Sequence, residues 1–130
     1  MKNNLIVIPF IFAAILLAGG CGKQNTIIKA HNQMVAIESA MINSYNSSTT
    51  AAEQAAAIEI AVDSMQRIDV SGCPPDYQTA WQDVIQLWNR WQSALNSENI
   101  NEADALSEQS PLKVSALNRI AKSHGVEIND

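Results

Sequence analysis

Tyr77, Trp81, Val84, Trp88, Trp91 and Leu95 follow one another at spacings of 4, 3, 4, 3 and 4 residues. That rhythm keeps all six on one face of an α-helix for about five turns. A strand cannot hold it, because successive strand residues point to opposite faces. The residues between them, Gln82, Asp83, Gln86, Asn89, Arg90, Gln92 and Ser93, form a polar outer face. All 3 tryptophans of the chain lie in this stripe. One helix therefore carries the largest apolar side chains, and the rest of the fold must be arranged around it.

The same period recurs on both sides of this helix, and no Val/Ile/Thr/aromatic run alternates with period two. A first stripe runs through Ile27, Met34, Ile37, Met41 and Tyr45, with Ala30 and Ala40 beside it. Asn25 or Thr26 can cap its start. Asn46-Ser47-Ser48-Thr49 ends it, because these side chains compete for backbone hydrogen bonds. Thr50-Ala51-Ala52-Glu53 is a capping-box pattern that opens a second helix, whose stripe is Ala51, Ala55, Ile58, Val62 and Met65, flanked by Ala61 and Ile68.

Ser71-Gly72-Cys73-Pro74-Pro75 breaks the chain before the tryptophan helix, and Pro75 fits the first turn, where a missing amide costs nothing. A fourth helical region carries Ala103 and Leu106, then Val114, Leu117, Ile120 and Ala121. Ser110-Pro111 reads as a fresh cap or a kink within it, and His124-Gly125 as its end, with Gly125 left-handed. Connections this short make sequential helices antiparallel neighbours. The expected fold is all-α, an up-down-up-down four-helix bundle over residues 26–130, its last helix kinked or broken near Pro111.

The segment from Asp69 to Tyr77, with Ala80-Trp81 after it, resembles small helical proteins encoded in many bacteria. The closing stretch from Ile120 to Val126 is similar to the end of the same group. The resemblance implies a helical fold and supplies no activity.

The N-terminus reads as an address. One positive charge, at Lys2, precedes an apolar run from Leu5 to Ala18. A bilayer-spanning helix needs about 20 residues, and this shorter run has the length of the hydrophobic region of a secretory signal. Leu17-Ala18-Gly19-Gly20-Cys21 then resembles the lipobox of bacterial lipoproteins, with Ala18 where that family favours leucine. The resemblance implies cleavage after Gly20 and a lipid on Cys21, so that residues 1–20 are a signal and 21–25 a short lipidated tether. Two or three acyl chains hold a protein on a membrane where one binds marginally. Gly22 stands where many inner-membrane lipoproteins carry aspartate, which implies the periplasmic face of an outer membrane, or the outer face of the cell membrane in a Gram-positive host.

Loss of Lys2 leaves 7 Lys plus Arg against 13 Asp plus Glu, a net charge of −6. Without a basic patch, nucleic acid is not expected as a partner, and the acyl chains must supply the membrane attachment. Lipidation would also consume one of the 2 cysteines, leaving Cys73 without an intrachain partner.

Few residues suggest chemistry. Cys73 precedes a helix N-terminus, where the dipole can favour a reactive thiolate; the plainer reading is a small side chain packed under the Pro-Pro turn. His31 and His124 could approach each other at one end of an antiparallel bundle and ligate haem, or serve as a half-exposed helix residue and a helix-end dipole partner. Trp81, Trp88 and Trp91 could line a ligand pocket, or simply form the core. Glu53, Glu59, Glu98 and Glu102 read as solvated helix faces, and Gly-x-Ser-x-Gly, a phosphate-cradling glycine loop and His-Glu-x-x-His are all missing. The sequence therefore leads to a non-enzymatic envelope lipoprotein, attached to the membrane by its lipid and acting through contacts with an envelope protein. It implies no cofactor, no metal and no nucleic acid. The alternative is a small-molecule or haem-binding bundle.

Overall fold

The structure, a computed structural model, describes residues 22–128. The signal segment 1–20 and Cys21 lie outside the described residues. Four helices follow in order: α1 (Gly22–Ser47), α2 (Ala51–Gln66), α3 (Pro75–Asn96) and α4 (Ile100–Ser123). The described residues contain no strand, and their regular structure is all helical. None of these helices is long and apolar enough to cross a membrane.

The tryptophan helix is the spine of the fold. All six stripe residues of α3 are buried, and so are Ala80, Ile85, Leu87 and Ala94. This buried arc is wider than one stripe, because α3 packs on both α2 and α4 and also touches α1. Its polar outer face is exposed or half-buried as expected. On α2, Ala55, Ala57, Ile58, Ala61, Val62 and Met65 are buried, and the small alanines let the neighbouring helices come close.

α1 departs from expectation in three places. It begins at Gly22 rather than at a cap on Asn25 or Thr26, so residues 22–25 are helical and not an extended tether. Four residues that could span about 14 Å extended span about 6 Å as helix. Ala40 is exposed, whereas His31 is buried in the core. The phase of the stripe explains the exchange: His31 lies four residues after Ile27 and three before Met34, while Ala40 falls outside the arc from Met34 to Met41. The polar ending behaves as expected, with the Ser47 hydroxyl donating to the Asn43 carbonyl at 2.9 Å and that of Ser48 to Ser44 at 2.6 Å.

The helix ends are closed by local hydrogen bonds. Thr50 Oγ1 accepts from the Glu53 amide at 3.1 Å, and the Glu53 carboxylate accepts from the Thr49 amide at 2.8 Å, one residue earlier than the usual capping box. Between α2 and α3, Asp69 accepts from the Ser71 amide and Gln78 donates to the carbonyls of Ser71 and Cys73. Gly72 in this turn lies against Thr26 of α1; an added Cβ would stand 3.3 Å from its methyl group. At the end of α4, Gly125 has φ 90°, the Gly125 amide donates to Lys122 and the Val126 amide to Ala121, which is a Schellman closure.

Of the kink or break expected near Pro111, the break is not found, since α4 continues through the proline as one helix. Ala103, Leu106, Ser110, Val114, Leu117 and Ala121 are all buried and keep helical phase across the proline, which itself is exposed. Proline removes one amide and crowds the carbonyl four residues earlier. The continuous buried stripe holds the helix together despite that cost.

Three contacts give the relative placement of the helices. Asp76 at the start of α3 meets His124 after the end of α4, and Arg90 late in α3 meets Glu102 early in α4. His31 in the first half of α1 meets Tyr77 at the start of α3.

Candidate functional site

The residues singled out from the sequence fall in different environments. Trp81 and Trp88 are core side chains. The Trp88 indole donates from Nε1 to Ser110 Oγ at 2.9 Å, inside the α3–α4 interface. Ser110 is therefore a buried hydrogen-bond partner rather than a helix cap. Trp91 differs from both: it is buried, yet it forms the floor of an open groove, and its Nε1 faces the Tyr45 side chain without reaching full hydrogen-bond geometry.

Cys73 is buried beside the Pro-Pro turn. Burial, with the negative charge of Asp69 as a second cause, pushes its thiol above the ordinary value, which disfavours the thiolate. This is the environment of a packing residue.

The two histidines both sit beside the start of α3, on separate partners. His31 Nδ1 and the Tyr77 hydroxyl share a hydrogen bond at 3.0 Å, with the rings edge-on. Burial lowers the pKa of His31, and the side chain of Asn118 opposes that shift. Asn118 does not reach full hydrogen-bond geometry, however, and both His31 Nε2 and Asn118 Oδ1 are left without a partner. Burial raises the Tyr77 phenol strongly, with Cys73 as a further cause. His124 Nε2 donates to the Asp76 carboxylate at 3.0 and 3.1 Å. Ligation of haem by this pair would have to break both arrangements. Among the described residues, no group of three or more His, Cys, Asp or Glu side chains could hold a metal ion.

A concave feature lies along the seam between α1 and α4, the first and last helices. They touch much less than sequential neighbours do. Between them lies a groove of about 480 Å³. α1 supplies Glu38, Met41, Ile42, Tyr45 and Asn46 as one wall; α4 supplies Ser107, Ser110, Pro111, Val114, Ser115 and Asn118 as the other. Helical phase sets the first wall, because residues 38, 41, 42 and 45 share one side of α1. The Tyr45 ring lies 4.9 Å from that of Trp91, tilted by 47°. Burial, then the charge of Asp104, raises the Tyr45 phenol, while the Trp91 side chain opposes them.

Glu38 is the only charged side chain in these walls. Desolvation raises its carboxyl above the ordinary value, the mark of a carboxylate half out of water with no cation near enough to compensate. The buried Asn118 oxygen faces His31 rather than the groove. Pro111 has no amide to give the Ser107 carbonyl, the acceptor four residues before it. The groove thus combines apolar surface with a carboxylate that lacks a cation and a backbone carbonyl that lacks its helical donor, an arrangement suited to recognition.

A smaller hollow of about 330 Å³ lies at the α3–α4 turn, lined by Asn89, Arg90, Ser93 and Glu102 among others. Its own exposed Arg90–Glu102 pair, at 3.7 Å, spans it, and no buried unpartnered side-chain atom belongs to its lining.

Sequence reasoning singled out Trp91, placed Tyr45 only in the apolar stripe of the first helix, and missed Glu38 and Asn118. A signal for Glu38 existed: it lies four residues after Met34 and three before Met41, a lone carboxylate in phase with an apolar stripe. Asn118 carried no such mark, since only the approach of α1 to α4 gives it a role. No family model matches the chain, and no curated protein or solved structure is found to be similar to it.

Proposed function

We propose that this chain is a membrane-anchored, non-enzymatic lipoprotein that acts as an interaction module in the bacterial envelope, offering the α1–α4 groove to a protein partner. The groove is the observation that carries this reading. A bundle whose first and last helices were closed on each other would leave no cleft along this seam; here one of about 480 Å³ stays open, with the Trp91 indole as its floor. The topology belongs to the same proposal. An up-down-up-down arrangement fits the antiparallel pairing of Asp76 with His124 and of Arg90 with Glu102. It also fits the meeting of the early part of α1 with the start of α3 at His31 and Tyr77.

Attachment through Cys21 rests on the lipobox-like segment, and the start of α1 at Gly22 bears on its geometry. Helix immediately after the anchor would hold the bundle close to the lipid surface and fix its orientation better than a loose tether. In a two-membrane envelope the reading puts the protein on the periplasmic face of the outer membrane. In a single-membrane host it puts it on the outer face.

Mass spectrometry of protein extracted from its own membranes tests the anchor. The expected N-terminal peptide begins at Cys21 and carries diacylglycerol, and Cys21→Ser should move the protein into the wash. A bare Cys21, or release of the unaltered protein without detergent, would overturn the reading. A second reading, a small-molecule binder, is favoured by the groove volume, which falls in the range of ligand pockets. A bound molecule or visible absorbance co-purifying with the native protein would select it.

A further inference from the structure

We propose that the α1–α4 groove receives an amphipathic helix of a protein partner, and that this helix brings a lysine or arginine to Glu38. The inference rests on the interaction reading above and names the kind of partner.

The length of the apolar surface indicates an elongated occupant. Val35, Glu38, Ile42 and Tyr45 are spaced 3, 4 and 3 residues apart on one side of α1. They cover about 15 Å of helix. Val35 and Ile42 are 42 and 45 % exposed. Val35 lies outside the cavity lining, so the apolar stripe continues past the hollow itself. A helix laid along the groove presents anchors at the same i, i+3/i+4, i+7 rhythm and covers both residues. A small molecule filling the hollow would leave Val35 in water.

Charge selects the chemistry of that helix. The walls hold one carboxylate and no cation, together with a Ser107 carbonyl that Pro111 cannot serve. An ammonium or guanidinium brings several N–H donors and a positive charge to a site that lacks both. A second copy of this chain is the poorer occupant. With 7 basic against 13 acidic residues after cleavage, copies carry like net charge.

Photocross-linking in the native host, with the full-length lipidated chain, tests this. A photoreactive phenylalanine is placed at Val35 or Ile42, and at Ile60 as control, since Ile60 is an apolar residue of α2 that is 68 % exposed. Adducts should form from positions 35 and 42 and not from 60. The captured segment should be amphipathic and contain a lysine or arginine. Glu38→Lys should reduce adduct yield at least tenfold and Glu38→Gln severalfold, with no loss of thermal stability. Reversing the partner's basic residue to glutamate should restore the yield with Glu38→Lys. The proposal is overturned by adducts with a second copy or with lipid, by a captured segment without a basic residue, by indifference to Glu38→Lys, or by no adduct from either groove position. Capture from Ile60 alone would remove the groove and leave the interaction reading standing. A bare Cys21 would remove the anchored-module reading itself.

Discussion

Trp88 and Trp91 lie one helical turn apart on α3, and their surroundings are built to opposite rules. Trp88 is enclosed between α3 and α4, and its indole N–H is matched by the buried hydroxyl of Ser110 at 2.9 Å. Trp91 reaches the seam between α1 and α4, where its N–H meets no partner in full hydrogen-bond geometry and its ring packs against the half-buried Tyr45. One contact is a closed interior in which shape and hydrogen bonding are both complete. The other is a surface of interior composition left open. Helices joined by short turns are held together by the chain itself. α1 and α4 have no such connection and meet only through side chains, so the bundle's looseness collects there.

The two regions should respond very differently to substitution. The largest effect belongs to the closed one: Trp88→Ala should lower unfolding free energy by about 3–5 kcal/mol, read from urea titration, because it leaves a large void in the α3–α4 interface. Ser110→Ala should come next, at about 1–3 kcal/mol, since it strands the Trp88 N–H in a dry environment. If Ser110→Ala were silent, the contrast between the two tryptophans would lose its polar half.

Acidity probes the junction of the two regions, where His31 is held between Tyr77 and Asn118. The folded pKa of His31 lies below its ordinary 6.5 because burial disfavours the imidazolium. In the window between those two values the unfolded chain binds a proton that the folded chain does not. Stability should therefore be complete above about pH 6.5 and fall as pH drops through the lower, folded value. Glu38 works in the opposite sense: its raised carboxyl favours the folded state when protonated, and that contribution is lost as pH rises through its folded pKa. Comparing the urea midpoint of His31→Gln with that of the unaltered chain across this range isolates the histidine, and the variant should show the flatter profile.

The smallest effects belong to the open seam. Ile42→Ser should change stability by no more than about 0.5 kcal/mol. Glu38→Gln should be neutral or slightly stabilising at neutral pH, because it removes a desolvated carboxylate while it weakens partner capture. A gain in stability with a loss of binding would mark Glu38 as kept for recognition. Destabilisation above 1 kcal/mol by either change would place the seam inside the core.

How much of this could be read from residues alone follows the range of the interactions involved. The face of α3, the stripe of α2, the Thr50 start and the Gly125 end depend on neighbours within a few positions, and they are legible as spacing and capping. His31 was in phase with Ile27 and Met34, but its polarity suggested exposure; burial requires Tyr77, 46 residues away, to answer one of its nitrogens. Pro111 suggested a break because local propensity opposes helix there. The buried run from Ser110 to Ala121 overrides it through contacts that propensity does not contain. The groove was illegible for a deeper reason: it is a gap between two helices that are not consecutive. Cys21 and the signal segment lie outside the described residues, and there the lipobox resemblance stands alone.

Native-state hydrogen exchange on the purified protein compares the two regions most directly. Amides of α3 from Trp81 to Trp91 should exchange only through global unfolding. Those of α1 from Val35 to Tyr45 and of α4 from Ser107 to Asn118 should exchange faster, through an opening that leaves α3 intact. Equal protection along all three stretches would show the seam closed as tightly as the core, and would contradict the account.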